Sequence, residues 1–283
     1  MTGSSAPLRR LGMELRRLRT MTGRTQADVG KAIGRTHATL VNWEHGKTKI
    51  SKSDLLCLMT ELGVPNDVRA GLEQLRDESG PGAGQWAVYG LPDSLKPLIS
   101  FEADAVAVTA FEPIIIPGLL QTEDYARAIH IAGPHTVAPE NVEKWVAARI
   151  QRQRQLTGAA PLKFHAVISE AALRLQVGGS SVMTTQIEHL LESSRLDNIT
   201  IQILPAAAGA HPALAGNITV LHFADPRSDP PLGYFDGPLG GYMISDEAQV
   251  TAMADMFDDI CVKAATEAES TRMLATALRD IRK

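Results

Sequence analysis

The stretch GRTHATLVNWEHGK, residues Gly34 to Lys47, decides how the first part of the chain folds. It has the length of a short helix between two glycines, yet its apolar residues are confined to Leu40, Val41 and Trp43. Leu40 and Trp43, three positions apart, predict one face that packs on a core. The other residues are small or polar: His37, Ala38, Thr39 and Asn42. A helix that enters the DNA major groove needs such a face, because it must offer hydrogen bonds or methyl contacts to base edges.

Each of these four side chains has a chemistry suited to a base edge. Asn42 can form two hydrogen bonds with an adenine, which would contribute about 1–3 kcal/mol of discrimination. Thr39 offers a hydroxyl or a methyl group, Ala38 permits a close approach or touches a thymine methyl, and His37 can donate or accept. The alternative interpretation is an ordinary surface helix of a helical domain.

The residues before this stretch favour the DNA-binding interpretation. In TQADVGKAIGRTHATLVNWEHGK, Gly30 is small where two helices would cross and Gly34 supplies the turn. Residues 11–64 resemble the Cro/CI-type, or XRE, family of helix-turn-helix repressors, whose pattern ends in Glu-x-Gly-Lys as Glu44 to Lys47 do here. Two positions depart from the family: Arg35 replaces a branched apolar residue, and Gly30 replaces alanine.

Positive charge is concentrated in the same region. Residues 1–52 contain eleven Lys and Arg against three Asp and Glu, whereas the whole chain has a net charge of -4. A basic head on an acidic body suggests that the head binds a polyanion, although a solvated cationic surface is an equal alternative. The resemblance implies that Gln26 bonds a backbone phosphate and that Thr36 begins the reading helix. The expected cationic contacts are Arg24, Lys31, Arg35, Lys47 and Lys49.

The chain as a whole is predicted to contain two domains. Five short helices over residues 8–78 form an all-α helix-turn-helix domain. The segment SGPGAG begins a linker, residues 79–93. Residues 94–283 alternate helices with strands that look antiparallel and end in a long helical stretch, 246–282, which predicts an α+β fold with a mainly antiparallel sheet.

The second domain contains its own characteristic sequence motifs. IPGLLQT (116–122), ISEAALR (168–174) and QILP (202–205) followed by AGAH (208–211) resemble the domain of unknown function DUF5753 of actinomycetes. The resemblance implies relatives such as the WhiJ-type regulators and the Scr-type antitoxin-like regulators, which control development or secondary metabolism. It also implies a possible partner, a small DUF397-type protein.

Catalytic and metal sites are not indicated by the sequence. It contains no G-x-S-x-G elbow, P-loop or H-E-x-x-H helix, so we expect neither an enzyme nor a bound metal or cofactor. Arg149, Arg152 and Arg154 are interpreted as a solvated face in preference to an anion pocket, and Cys57 and Cys261 as small core residues. With no apolar run long enough to span a bilayer and no secretion signal, the expected location is the cytoplasm.

These features together predict a transcriptional regulator, with double-stranded DNA as its partner. One recognition helix covers too few base pairs to be selective in a genome, so a homodimer on a two-fold operator is expected. The C-terminal domain would dimerise and receive a signal, either a small molecule or a small protein. The alternative is an antitoxin-like interaction protein paired with a DUF397-type protein, whose DNA binding serves autoregulation.

Overall fold

A computed structural model describes residues 6–79, 87–92, 94–133, 137–226, 229–237 and 240–283 of the chain. The predicted linker, residues 79–93, therefore lies largely outside the described residues. Helices long and apolar enough to cross a membrane are absent from the described part. The chain divides into two compact units, one with the first five helices and one with the sheet. The domain limits drawn from the sequence stay a prediction.

Five helices in the described N-terminal residues confirm the predicted all-α fold. They are α1 (Ala6–Met21), α2 (Gln26–Ala32), α3 (His37–Glu44), α4 (Lys52–Glu61) and α5 (Asn66–Glu78). Each of α2, α3 and α4 begins at a Thr or Ser whose hydroxyl accepts a hydrogen bond from a backbone N–H of the first turn. Such caps satisfy donors that have no partner within the helix, and they fix where each helix starts.

The turn between α2 and α3 depends on Gly34. Its φ of +67° lies in the left-handed region, where a side chain would be strained. Around it, Gly34 N donates to Lys31 O (3.2 Å) and Arg35 N donates to Gly30 O (2.8 Å), the bond pattern of a Schellman motif. Because this turn occupies only a few residues, α3 starts immediately and packs across α2.

One apolar cluster holds the five helices together. It combines leucines from one stripe of α1 with residues from every following helix and from the loops between them. Its buried members are Leu11, Leu15, Leu18, Val29, Leu40, Trp43, Ile50, Leu55, Leu58, Met59, Leu62, Val64 and Leu72. Cys57 on α4 is exposed, so its assignment to the core was wrong: the buried stripe of α4 runs through Leu55, Leu58 and Met59.

The second unit is α+β, as predicted. Its strands are β1 (Ala107–Glu112), β2 (Lys163–Ser169), β3 (Ile199–Leu204), β4 (Ile218–His222), β5 (Leu232–Phe235) and β6 (Tyr242–Ile244). Helix α6 (Lys96–Asp104) begins in the first unit and ends in the second. The other helices of the second unit are α7 (Glu123–Ala132), α8 (Val142–Gln153), α9 (Glu170–Arg174), α10 (Ser180–Ser193), α11 (Glu247–Lys263) and α12 (Glu267–Ile281). The long closing stretch is thus two helices, since Thr266 caps α12 with a capping box to Glu269.

The sheet has six strands in the described residues, in the order β3-β2-β1-β4-β5-β6. The pairs β1–β4, β4–β5 and β5–β6 are antiparallel, so the sheet is mainly antiparallel. The pairs β1–β2 and β2–β3 are parallel, which the sequence analysis did not predict. Helices α7 to α10 occupy the two crossovers that parallel neighbours require.

Both faces of β1 are buried along most of its length: Val108 and Ala110 are buried on one face and Phe111 on the other. Phe111 on β1 is fully buried in a cluster with Phe257 and Ile260 of α11. Side chains alternate along a strand, so the next residue, Glu112, lies on the opposite face at the end of β1. At the outer edge, Ile203 of β3 is covered: its N–H donates to Ser270 Oγ (2.8 Å) and its carbonyl accepts from Ala265 N (2.9 Å).

Two glycines in the N-terminal helices should respond oppositely to alanine. A Cβ atom on Gly12 would come within 2.5 Å of Trp43 O and 2.8 Å of Glu44 O, whereas one on Gly71 would meet nothing within 4 Å. We expect Gly12→Ala to destabilise the five-helix unit by about 1–3 kcal/mol or more, because α1 must move away from the end of α3. Gly71→Ala should stabilise it by about 0.5–1 kcal/mol through helix propensity.

Hydrogen exchange of the α1 and α5 amides, followed by mass spectrometry, measures both changes within the intact chain. A stabilising Gly12→Ala variant would contradict the close crossing of α1 and α3.

Candidate nucleic-acid interface

Helix α3 presents one exposed face and one buried face. Leu40, Trp43 and Glu44 are buried, at 0%, 6% and 4% exposure. The four side chains proposed as base readers lie on the rest of the helix: His37 and Ala38 are exposed, and Thr39 and Asn42 are half-buried. The division follows from helical spacing, since positions 40, 43 and 44 share one face.

The proposed base-reading residues differ in whether their side chains already form hydrogen bonds within the protein. Asn42 and His37 have no side-chain hydrogen bond to any described residue, so the Asn42 amide keeps both its donors and its acceptor. Thr36 is the N-cap of α3, and its hydroxyl accepts from Thr39 N (3.2 Å) and lies 2.8 Å from the Thr39 hydroxyl. These two threonines therefore position the helix start, with one hydroxyl hydrogen of the pair left for an outside acceptor.

Two residues of this face were not proposed from the sequence. Val41 and His45 lie one turn on from His37, Ala38 and Asn42, and they are half-buried and exposed respectively. From the sequence, Val41 is recognised only as an apolar residue, with no role assigned. On the helix it lies three positions, about one turn, after Ala38. His45 Nδ1 lies 2.7 Å from Val41 O. A donating Nδ1–H there leaves Nε2 as an acceptor toward solvent.

The carboxylate of Glu44, on the buried side of α3, holds the helix in its orientation. Arg19 of α1 donates to it through Nε (2.6 Å) and Nη2 (2.9 Å), and Gln26 of α2 donates through Nε2 (2.8 Å). The hydrogen bond to Glu44 raises the pKa of Arg19. One buried carboxylate therefore ties α1, α2 and α3 together, and charge-assisted bonds of this kind are the strong class.

Gln26 is consequently engaged inside the domain. One of the two N–H groups of its amide is used on Glu44, and no further side-chain bond joins it to the described residues. The second N–H and the amide carbonyl remain. Gln26 also stands at the first position of α2, after the Thr25–Asp28 capping box, where the positive end of the helix favours an anion. The proposed phosphate contact is compatible with this geometry and stays a prediction.

The cations expected to contact phosphates fall into two groups. Arg24 pairs with Glu61 (2.6 Å) and Arg35 pairs with Asp54 (2.8 Å), so both are partly neutralised by α4. Lys31, Lys47 and Lys49 are exposed and have no acidic group within 4.0 Å among the described residues. The second group offers full charge to a phosphate, whereas the first must exchange one partner for another.

The comparisons with known proteins agree with both halves of this description. A helix-turn-helix domain model matches residues 10–80, and a model described as a domain of unknown function (DUF5753) matches residues 95–276. The second match covers more than half of the chain. The chain belongs to the DUF5753 family. Its N-terminal domain makes it a DNA-binding regulator of the helix-turn-helix type. No curated protein and no solved structure matched it.

In the DUF5753 domain, the phrase IPGLLQT surrounds a buried amide. Gln121 is fully buried; its Nε2 donates to Ile116 O (2.7 Å), and its Oε1 accepts from Arg149 of α8. Thr122 caps α7, since its hydroxyl accepts from Tyr125 N. This segment leads the chain from the end of β1 into α7.

The arginines of α8 are not a solvated face. Arg152 forms a bidentate pair with Glu102 (2.9 and 2.7 Å), and the two side chains are 9% and 4% exposed. Arg149 is half-buried against Gln121, and Arg154 alone is exposed. The prediction of a solvated face was wrong because α8 turns these positions toward the sheet. Among the described residues, no three His, Cys, Asp or Glu side chains are grouped as metal ligands would be.

Removing the charge of Glu44 tests its bracing role. Glu44→Gln removes the buried carboxylate from Arg19, whose side chain is 13% exposed, so we expect the five-helix unit to lose about 3–5 kcal/mol of unfolding free energy. The matched control is Glu61→Gln, which breaks the pair with Arg24 where both side chains are 33% exposed. That change should cost less than about 1 kcal/mol. Hydrogen exchange of the α2 and α3 amides reports the difference, and equal losses in the two variants would rule out the bracing role.

Proposed function

We propose that this protein is a sequence-specific transcriptional regulator that reads DNA with the exposed face of α3. The reading residues are His37, Ala38, Thr39 and Asn42, joined by Val41 and His45. Gln26, Thr36, Lys47 and Lys49 position the helix on phosphates, and Arg35 does so by exchanging Asp54 for a phosphate. This assignment is a proposal for the individual residues, beyond the DNA-binding class to which the domain belongs.

The observation that carries the proposal is that a side-chain amide without a hydrogen bond inside the described part of the protein lies on a helix held in a fixed orientation. The side chain of Asn42 has no hydrogen-bond partner among the described residues, and Asn42 lies two positions before the buried Glu44 anchor, on the opposite side of the helix. An amide held in a fixed orientation can present its donor and acceptor together, as bidentate reading of adenine requires. A surface helix without a ligand has no need for such an anchor behind a small polar face.

We further propose that the regulator acts as a homodimer and that the DUF5753 domain receives the signal. A single α3 reads only a few base pairs, whereas two related by a two-fold axis read half-sites about one helical turn, roughly 10 base pairs, apart. The signal is a small molecule or a small protein, and in the latter case a DUF397-type partner is the candidate. Control of development or secondary metabolism belongs to the same proposal.

Selection of DNA from a random pool with the full chain tests the reading function. The expected product is an enriched two-fold motif, with light scattering giving two chains per DNA duplex. Enrichment of no motif would overturn sequence-specific reading, and an enriched single half-site bound by one chain would overturn the dimer.

The nature of the signal is settled by what releases the protein from that selected DNA. Release by a co-purified small protein at stoichiometric concentration would favour the antitoxin-like alternative, in which DNA binding serves autoregulation. Release by a metabolite alone would favour the effector-sensing role.

Asn42→Ala should relax base preference at one position of each half-site. The expected loss on the preferred sequence is about 1–3 kcal/mol, because one bidentate contact disappears. Titration of a set of single-base variants of the selected site measures this loss. A uniform loss over every sequence would instead make Asn42 a residue that positions the domain on the backbone.

The two groups of cations should differ in their effect on salt dependence. Lys49→Gln should make the slope of log Kobs against log salt shallower by about 0.9 per chain, since one phosphate contact is lost. Arg24→Gln should change the slope by less, because Arg24 is already paired with Glu61 (2.6 Å) in the free protein. Fluorescence anisotropy titrations at several salt concentrations provide both slopes. The grouping is wrong if Arg24→Gln has the larger effect.

A further inference from the structure

A cluster of charged groups lies at the carboxyl end of β1 in the DUF5753 domain. Glu112 ends β1, Asn217 immediately precedes β4, and Asp236 immediately follows β5. The strand pairing brings these three positions to one edge of the sheet, and Arg149 of α8 faces the same edge. We call these four residues the polar cluster. The edge formed by the carboxyl ends of parallel strands, here β1, β2 and β3, is where open sheets commonly bind ligands.

Arg149 has unused hydrogen-bonding capacity. Its Nη1 donates to Gln121 Oε1, and no other hydrogen bond or ion pair joins its side chain to the described residues. A guanidinium has five N–H donors, so most of them remain for another acceptor. Burial lowers the pKa of Arg149 to about 10, and the group stays charged at neutral pH.

The two carboxyl groups of the cluster, in turn, have no positively charged group at ion-pair distance within the described part of the chain. Asn217 lies between them: its side chain faces Glu112, and its Oδ1 accepts from the backbone N–H of Asp236 (3.3 Å). The Asp236 carboxylate itself accepts from Gly237 N (3.0 Å). In the described residues no cation comes within 4.0 Å of either carboxyl group. Burial, together with the negative charge of Asp236, raises the pKa of Glu112 to about 8, and the positive charge of Arg149 offsets this only in part. Arg152, by contrast, already has its carboxylate in Glu102.

We propose that the polar cluster binds a small zwitterion, with its carboxylate on Arg149 and its ammonium group between Glu112 and Asp236. A simple anion would satisfy Arg149 and leave the two acids without a cation. A simple cation would do the reverse. A molecule that carries both charges satisfies each half, and Asp236, which is exposed, stands at the entrance. This inference rests on the proposed signal-receiving role of the DUF5753 domain and names the ligand class for it.

Binding of an ammonium group should release a proton from the protein. The groups that face Glu112 are Asp236, Asn217, Arg149 and Tyr125. With its pKa near 8, Glu112 is mainly protonated at pH 7. A bound cation favours its ionised form and lowers the pKa, so the protein releases close to one proton per site at pH 7 and almost none at pH 9. An anion bound to Arg149 alone would release none.

Calorimetry on the full chain with a graded series of probes tests the proposal. The probes are glycine, β-alanine, 4-aminobutanoate and 6-aminohexanoate, which separate the two charges by increasing lengths, with butylamine and butanoate as single-charge controls. At least one zwitterion should bind about tenfold more tightly than either control, the equivalent of one lost charge-assisted bond. Titrations in phosphate and in Tris at pH 7 should differ by the heat of about one released proton. The proposal fails if no zwitterion binds, or if butanoate binds as tightly.

Three variants locate the site. Arg149→Met should lose about tenfold or more in affinity for the best probe. Glu112→Gln keeps a neutral group of nearly the same shape, so it should fold and melt like the wild type, bind more weakly and release no proton. Arg154→Gln, an exposed neighbour without a partner in the described residues, is the matched control and should bind normally. If Arg149→Met does not fold, Glu112→Gln decides: undiminished proton release in that variant overturns the assignment.

Failure of this inference is distinguishable from failure of the proposed function. If the zwitterion binds with the expected proton release but leaves the affinity for selected DNA unchanged, the site stands and the signal-receiving role fails. If no zwitterion binds while the chain still selects a DNA motif, the regulator stands and the ligand assignment fails.

Discussion

The orientation of the exposed face of α3 depends on one buried carboxylate. Glu44 is 4% exposed, and it accepts hydrogen bonds from Arg19 on α1 and Gln26 on α2 while belonging to α3. A buried charge without partners would cost several kcal/mol, so the three helices are held in the one arrangement that supplies them. Apolar packing alone tolerates small rotations of a short helix, whereas bidentate hydrogen bonds do not. The orientation of Asn42 relative to α2 therefore follows from an electrostatic requirement on the opposite side of the helix.

The DUF5753 domain uses strand direction for a similar purpose. Because β1, β2 and β3 run parallel, their carboxyl ends meet at one edge, and the antiparallel neighbours β4 and β5 bring a start and an end to the same place. The alternation of side chains then turns Phe111 into the α11 core and Glu112 away from it. Partial burial of a carboxyl group at such an edge costs solvation free energy. This cost is the reason to infer a ligand at this edge.

The sequence predicted well what local chemistry decides. Thr25, Thr36 and Ser51 begin helices and Gly34 and Gly46 end them, because caps and positive-φ positions act within a few residues. The parallel pairing of β1 with β2 was missed, since it joins residues more than 50 positions apart and no turn encodes it. Val41 was not proposed for the exposed face because its side chain is apolar, and Glu44 was identified only as part of a sequence motif, without its role as an anchor. The buried state of Arg149 and Arg152 depends on Gln121 and Glu102, and no spacing in the sequence links those residues.

The covered outer edge of β3 affects how readily copies of the chain aggregate. At Ile203, Ser270 and Ala265 occupy the outward-facing backbone groups that a foreign strand would otherwise use. Uncovered strand edges template aggregation, and a capped helix laid across one removes that hazard more permanently than a charged side chain does. Two copies of this chain that meet in solution are therefore protected at Ile203 from joining their sheets edge to edge.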